Sequence, residues 1–159
     1  MYIYLKNNHS KTIPVVFLKR NFMHLCGVKY YVHGIKYNAS NFYKALKKNR
    51  VSQKQLSPRK NGTTGQKLSV INELPLLIKP GVRITGEGNF LHLKFSNALR
   101  SSKAILATTL IHNKAEMVPQ SLLSLKGNNK SKSKVFMKSY KVIYLKQINI
   151  INHISRIIF

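Results

Sequence analysis

The sequence predicts an α+β domain, with helices in its first half and an antiparallel sheet in its second. Two observations predict it. Ahead of Pro80-Gly81 the apolar residues recur at three-and-four spacing, the period of an amphipathic helix. Beyond that dipeptide they alternate with polar residues, the period of a strand with one wet face.

The elements follow in order. Tyr2–Leu5 and Thr12–Phe17 are β-branched or aromatic runs about the polar turn Lys6–Lys11, so a short hairpin comes first. Residues 19–26 (KRNFMHLC) read as a helix that Gly27 terminates, because glycine tolerates the left-handed conformation. A second helix is expected from a Ser40 or Asn41 cap to about Lys48, with Phe42, Ala45 and Leu46 on one face. Val51–Leu56 is a candidate further helical turn, and Ser57–Gly62 is a turn-rich loop. Thr63 or Thr64 then caps a third helix to about Leu77, which Pro75 ends or kinks.

Gly86-Glu87-Gly88 suits a hairpin turn between Val82–Thr85 and Asn89–Phe95. Ala104–His112 is a long apolar strand, expected to be central, and Val118–Leu125 is a further strand made irregular by Pro119. Lys126–Lys134 (KGNNKSKSK) is a basic loop, and Val135–Gln147 is the last long strand. For the isoleucine-rich tail, Ile148–Phe159, two placements stand: extending that strand or packing beneath the sheet.

Composition narrows function. Among 159 residues, 28 lysines and arginines face three acidic residues, a formal net charge of +25. Self-repulsion of that size weakens a compact state, so the balance points to a polyanionic partner, and nucleic-acid phosphates are the commonest. Glu73, Glu87 and Glu116 are the only carboxylate side chains and lie far apart in sequence, too few for a two-metal site. One cysteine, Cys26, excludes an intrachain disulfide and any multi-cysteine zinc site; in its apolar run it reads as a buried thiol. The apolar fraction of 43% suits a folded domain, so the charge does not mean disorder. MYIYLKNNHS has none of the marks of a signal peptide, and no apolar run reaches membrane-spanning length. The expected location is cytoplasmic, including the cytoplasm of an infected bacterial host.

Four stretches carry a family likeness: YLKNNHSKTIPVVFLKRNFMHLCGV, GTTGQKLSVINEL, RITGEGNFLHLKFSNALRSSKAILATTL and VPQSLLSLK. Together they resemble the fourth phage group of Barnase–EndoU–Colicin–RelE-like nucleases and span most of residues 2–126. Lys29–Lys36 and the tail after Lys126 match it least. The resemblance implies N-terminal helices packed on a four- to five-stranded antiparallel sheet, and metal-independent RNA cleavage with no cofactor. Residues 1–126 are then the nuclease-like domain. Residues 127–159 add the basic loop, final strand and tail of the same domain.

Metal-free RNA cleavage needs a base for the 2′-hydroxyl proton, an acid for the leaving 5′-oxygen and fixed positive charge for the phosphorane. With carboxylates scarce, histidine, lysine, arginine and hydroxyl groups must supply these. His24, in FMHLCG, is the first candidate for proton transfer; the competing reading is a half-buried histidine bonded to backbone carbonyls. Thr109 and Ser121 would place hydroxyls on neighbouring strands as phosphate ligands, against ordinary strand packing or turn chemistry. Arg100 is the candidate fixed charge. Lys19, Arg20, Lys94 and Lys103 are candidate substrate contacts, and His92, alternating outward with Lys94, is a second proton-transfer candidate. Glu116, a lone glutamate among basic neighbours, suits a salt bridge rather than a base.

The expected function is therefore a toxin-class ribonuclease, with RNA as substrate and an acidic inhibitor or antitoxin protein as partner. The alternative is a non-catalytic nucleic-acid binder, ribosomal-protein-like or a phage anti-defence protein, which fits the charge equally well. A membrane-surface role ranks below both, because the basic residues are not gathered on one face of an amphipathic helix.

Overall fold

The computed structural model describes residues 1–60, 62–90, 93–103, 105–126, 136, 138–149 and 151–159. The chain opens with strands β1 (Tyr2–Lys6) and β2 (His9–Ile13), paired antiparallel from Tyr2↔Ile13 to Lys6↔His9. Both strands run further into the expected turn than their composition suggests. Asn7 and Asn8 adopt left-handed φ of 51° and 61°, which asparagine tolerates and a two-residue hairpin turn requires.

Helix α1 (Lys19–Cys26) stops at Gly27, whose φ of 70° is the expected left-handed terminator. Strands β3 (Val28–Val32) and β4 (Ile35–Tyr37) form a hairpin over His33 and Gly34, both at positive φ, in a region where no strand is expected. Helix α2 (Ala39–Lys47) starts earlier than a Ser40 or Asn41 cap implies, because the Asn38 side chain accepts from the Asn41 N–H at 2.9 Å. A 3-10 turn at Gln53–Gln55 leads into β5 (Leu56–Pro58), which pairs with β3. The expected third helix is two pieces: α3 (Thr64–Leu68) and a 3-10 segment, Ile71–Ile78. Pro75 lies inside the second piece, where it removes an N–H and clashes with the preceding turn of a regular helix.

The remaining strands are β6 (Arg83–Thr85), β7 (Gly88–Phe90), β8 (Leu93–Phe95), β9 (Asn97–Arg100), β10 (Leu106–Asn113), β11 (Glu116–Ser124), β12 (Ser139–Ile148) and β13 (Ser155–Ile157). They assemble with the first hairpin into an eight-stranded antiparallel sheet in the order β11-β10-β9-β6-β12-β1-β2, with β13 also on β12. The segment after β2 then reaches the far edge: Val15 bridges Met117, with Met117 N–H to Pro14 O and Val16 N–H to Met117 O both 2.9 Å. The pairing therefore curls back toward its own start.

The expectation of N-terminal helices on a four- to five-stranded sheet is overturned. The described residues are mostly β, 45% strand against 24% helix, and the helices among them are short. The reason lies in β12, which pairs with β6 and with β1 from the opposite end of the chain, so the first hairpin joins the main sheet. β6 also does not pair across Gly86-Glu87-Gly88. Both of its edges are taken, by β9 and β12, and β7 and β8 form a separate two-stranded ribbon. The tail does not extend the last strand: it turns back as β13, antiparallel to the end of β12, and Ile158 and Phe159 beyond it pack against the main core. The basic loop after Lys126 lies outside the described residues.

The main core lines one face of the sheet with Ile84, Leu99, Leu106, Leu110, Leu122 and Val142, closed by Val70, Leu77 and Leu25 from the helical segments. Tyr2 donates its hydroxyl to the Leu77 carbonyl at 3.1 Å, tying β1 to the 3-10 segment. A second cluster of Met23, Cys26, Val28, Tyr30 and Phe42 joins α1, α2 and β3. On the other face of the main sheet Phe90, Phe95 and Phe136 cover Ala98 and Ala107. Each fully buried leucine or isoleucine contributes about 1.5–3 kcal/mol by leaving water.

Candidate active site

The C-terminal turn of α1 is clamped by residues from the loop before α3 and from α3 itself. Thr64 Oγ1 donates to the Gly27 carbonyl and accepts from the Arg59 N–H at 3.1 Å. Arg59 N–H also reaches the Gly27 carbonyl at 3.3 Å. Lys67 Nζ donates to the His24 carbonyl at 3.3 Å, a cation at a helix C-terminus where the dipole favours it. Thr64 and Lys67, three apart on a helix, share one face. Gly27 is required here twice over: its φ is left-handed, and a Cβ would lie 2.9 Å from Lys67 Cδ.

His24, half-buried, thus sits beside Arg59 and Lys67, and its ring meets the backbone of Gln120 on β11. Gln120 is the extra residue of a bulge: Thr109 pairs with Ser121 and Leu110 with Pro119. Its side chain is held by the Lys94 carbonyl at 3.2 Å. Burial, then the charges of Arg59 and Lys67, lower the His24 pKa against a smaller opposing effect of the Gln120 backbone. The imidazole is therefore neutral at pH 7. Lys67 is only 4% exposed; burial and then Arg59 lower its pKa too, partly offset by Cys26. Arg59 Nε is buried without a hydrogen-bond partner. Burial raises the Cys26 thiol to about 11 against a smaller effect of Lys67, so it stays protonated and is no nucleophile.

Arg100 lies elsewhere, in the sheet interior. It is 7% exposed and faces Arg83 across β6 and β9. Its Nη1 donates to the Ser101 and Ser102 carbonyls, both at 3.2 Å, and its Nη2 to Ser139 Oγ at 3.0 Å. Arg83 donates to the same Oγ at 2.8 Å and to the Ser139 carbonyl at 2.6 Å. Burial and then Arg83 lower the Arg100 pKa.

The other sequence candidates disperse. Thr109 and Ser121 are direct cross-strand partners, but Thr109 is fully buried and donates its hydroxyl to the Ser121 carbonyl at 3.4 Å. Lys19 and Arg20 are exposed at the far end of α1 from His24; Lys94 and Lys103 are exposed. His92 lies outside the described residues. Arg59, Lys67 and Arg83 escaped the sequence reading, since nothing marks them among 28 basic residues. Only the Thr64–Lys67 spacing hinted that a polar face of α3 points inward.

Among the described residues no three histidine, cysteine, aspartate or glutamate side chains converge, and Glu73 pairs with Lys126 at 3.7 Å. The arrangement at His24 sets an imidazole whose neutral form is favoured beside two positive charges.

No curated protein and no solved structure matches the chain. The family described as phage-Barnase-EndoU-ColicinE5/D-RelE like nuclease4 matches residues 1–157, running past the Lys126 limit of the likeness read from the sequence. A neutral histidine held between two cations is chemistry a nuclease can use, and the chain belongs to this phage-associated Barnase–EndoU–Colicin–RelE-like nuclease family.

Proposed function

We propose that the protein is a ribonuclease that works without a metal ion, with His24, Lys67 and Arg59 as its working groups. Neutral His24 takes the proton of the ribose 2′-hydroxyl, and the 2′-oxygen attacks the adjacent phosphorus. Lys67 and Arg59 stabilise the charge that grows on the non-bridging oxygens. The bond from phosphorus to the 5′-oxygen breaks, and that oxygen takes a proton from Lys67, whose lowered pKa makes it a readier donor than an exposed lysine. The products are a 2′,3′-cyclic phosphate and a 5′-hydroxyl. Acting on RNA inside a cell, such an enzyme is a toxin, and an acidic inhibitor is the partner it needs.

The observation that carries this reading is the meeting of His24, Arg59 and Lys67 at the Gln120 bulge, with no carboxylate among them. The scattered glutamates support the metal-free part. Purified protein incubated with end-labelled RNA in EDTA is expected to give discrete fragments ending in 2′,3′-cyclic phosphate. The same sequence as DNA, which lacks the attacking hydroxyl, is expected to survive. Loss of RNA cleavage in EDTA, or equal cleavage of DNA, overturns the mechanism. Tight binding with no cleavage in any buffer makes the protein a non-catalytic binder.

A further inference from the structure

A row of cations crosses the main sheet away from His24. Register places Lys141 of β12 opposite Arg83 of β6, and Arg83 opposite Arg100 of β9. Directly opposed residues project from the same face, and like charges so placed destabilise a sheet. Among the described residues none of the three has a carboxylate partner. The neutral Ser139 hydroxyl accepts from both arginines at 2.8 and 3.0 Å, which orders them without cancelling their charge. Arg100 keeps a buried Nε with no partner although the side chain is 93% buried, its exposure being 7%. Donors held in place and left unneutralised are what an anion would complete.

We infer that Lys141, Arg83 and Arg100 form a binding track for successive phosphates of an RNA strand, separate from the cleavage site. Two features favour a strand over a single phosphate. The row covers three strands, a span of about 10 Å at the usual strand spacing. It also belongs to the sheet whose β11 carries Gln120 beside His24, with only β10 between β9 and β11. Arg83 and Arg100 alternate with the core residues Ile84 and Leu99, so the row projects from the face away from that core, and a strand it holds reaches the His24 side only around the β11 edge. The inference rests on the RNA-binding part of the proposed function and not on the identity of the proton-transfer group.

The test measures binding of a fluorescent single-stranded RNA 12-mer between 50 and 200 mM salt, in a His24→Ala background that prevents cleavage. Arg83→Gln and Lys141→Gln are compared with that parent, and thermal melting establishes that each is folded. Lys141 is exposed, so its variant carries the test even if loss of Arg83 disturbs folding. Each lost phosphate contact is expected to reduce the slope of log affinity against log salt by about 0.7, which is roughly 2.5-fold in affinity across that salt range. Folded variants with unchanged slope and affinity overturn the track. Inorganic phosphate alone is run as a competitor. Displacement of RNA by low millimolar phosphate, with no slope change in the variants, assigns the row to a free anion and overturns the RNA assignment. Cleavage by protein with His24 intact is scored separately. Its absence sinks the proposed mechanism, while altered slopes would still uphold the track.

Discussion

The two cationic clusters differ in what their groups can do with a proton. Around His24 the burial and charge of Arg59 and Lys67 act on side chains that titrate, and both His24 and Lys67 have their pKa values lowered. Around Arg100, burial and the neighbouring Arg83 act instead on a guanidinium, a group that is not deprotonated in proteins. Desolvation beside a like charge thus shifts two groups that titrate in one place and leaves a fixed positive charge in the other. The lesson is that positive charge alone does not mark a reaction centre in so basic a chain. What marks a candidate is a group able to titrate, held among charges that shift its pKa.

The largest expected break in this comparison comes from His24→Ala. It removes the group proposed to accept the 2′-hydroxyl proton, so the cleavage rate should fall by ~10²–10⁴-fold while RNA affinity and its salt slope stay at parental values. A folded variant that cuts at the parental rate removes His24 from the site. Lys67→Met comes next. It keeps roughly the length of the side chain and loses the charge proposed to act at the transition state, for an expected ~10²–10³-fold drop in single-turnover rate. If only the melting temperature changes, Lys67 is a helix clamp and nothing more.

Acidity separates the clusters without mutation. The His24 pKa lies below its usual 6.5, so the native state prefers the neutral ring. As pH falls below 6.5 the unfolded chain binds the proton first, so stability present at higher pH is lost across the window below 6.5. Cleavage should fall on the same acid side as the base is protonated. Binding through arginine has no such reason to change. A pH profile from 5 to 8 measured for rate and for RNA affinity should show the rate alone declining toward acid through this group. A rate that rises as pH falls would show that the protonated ring is the working form.

Gly27→Ala tests the clamp that holds the first cluster together. The methyl group meets a left-handed φ of 70° and Lys67 Cδ at 2.9 Å, so a loss of about 1–3 kcal/mol is expected in denaturant unfolding. A neutral result would mean that the turn relaxes freely.

How much of this was legible beforehand follows from the range of each interaction. α1, its Gly27 stop and the strands β10 and β11 were readable because their causes lie within a few residues. β3 and β4 were missed because Tyr30, Tyr31 and Val32 form a strand too short for a clear alternation beside the lysines. The split of α3 from the 3-10 segment was signalled by Pro75 but not located by it. The pairing of β1 with β12 left no local trace, and from it came the misjudged size of the sheet. His24 stood out as a histidine in an apolar segment. Lys67 and Arg59 did not, because only the folded turn at Gly27 brings them to it.

The smallest expected effect belongs to Thr109→Val, and it defines where the first cluster ends. Thr109 faces Ser121 next to the bulge, one residue from Gln120, so its hydroxyl is the nearest rival for a phosphate ligand. That hydroxyl is fully buried and donates to the Ser121 carbonyl at 3.4 Å, a long bond. Thr108 donates to the same carbonyl at 3.2 Å, so the acceptor keeps a partner when Thr109 loses its hydroxyl. Valine has nearly the same shape and suits a strand at least as well. The stability change should therefore stay below about 1 kcal/mol, with kcat and KM for RNA both unchanged. A tenfold rise in KM in a variant of parental melting temperature would instead place Thr109 on the substrate phosphate and extend the His24 cluster across β11 into β10.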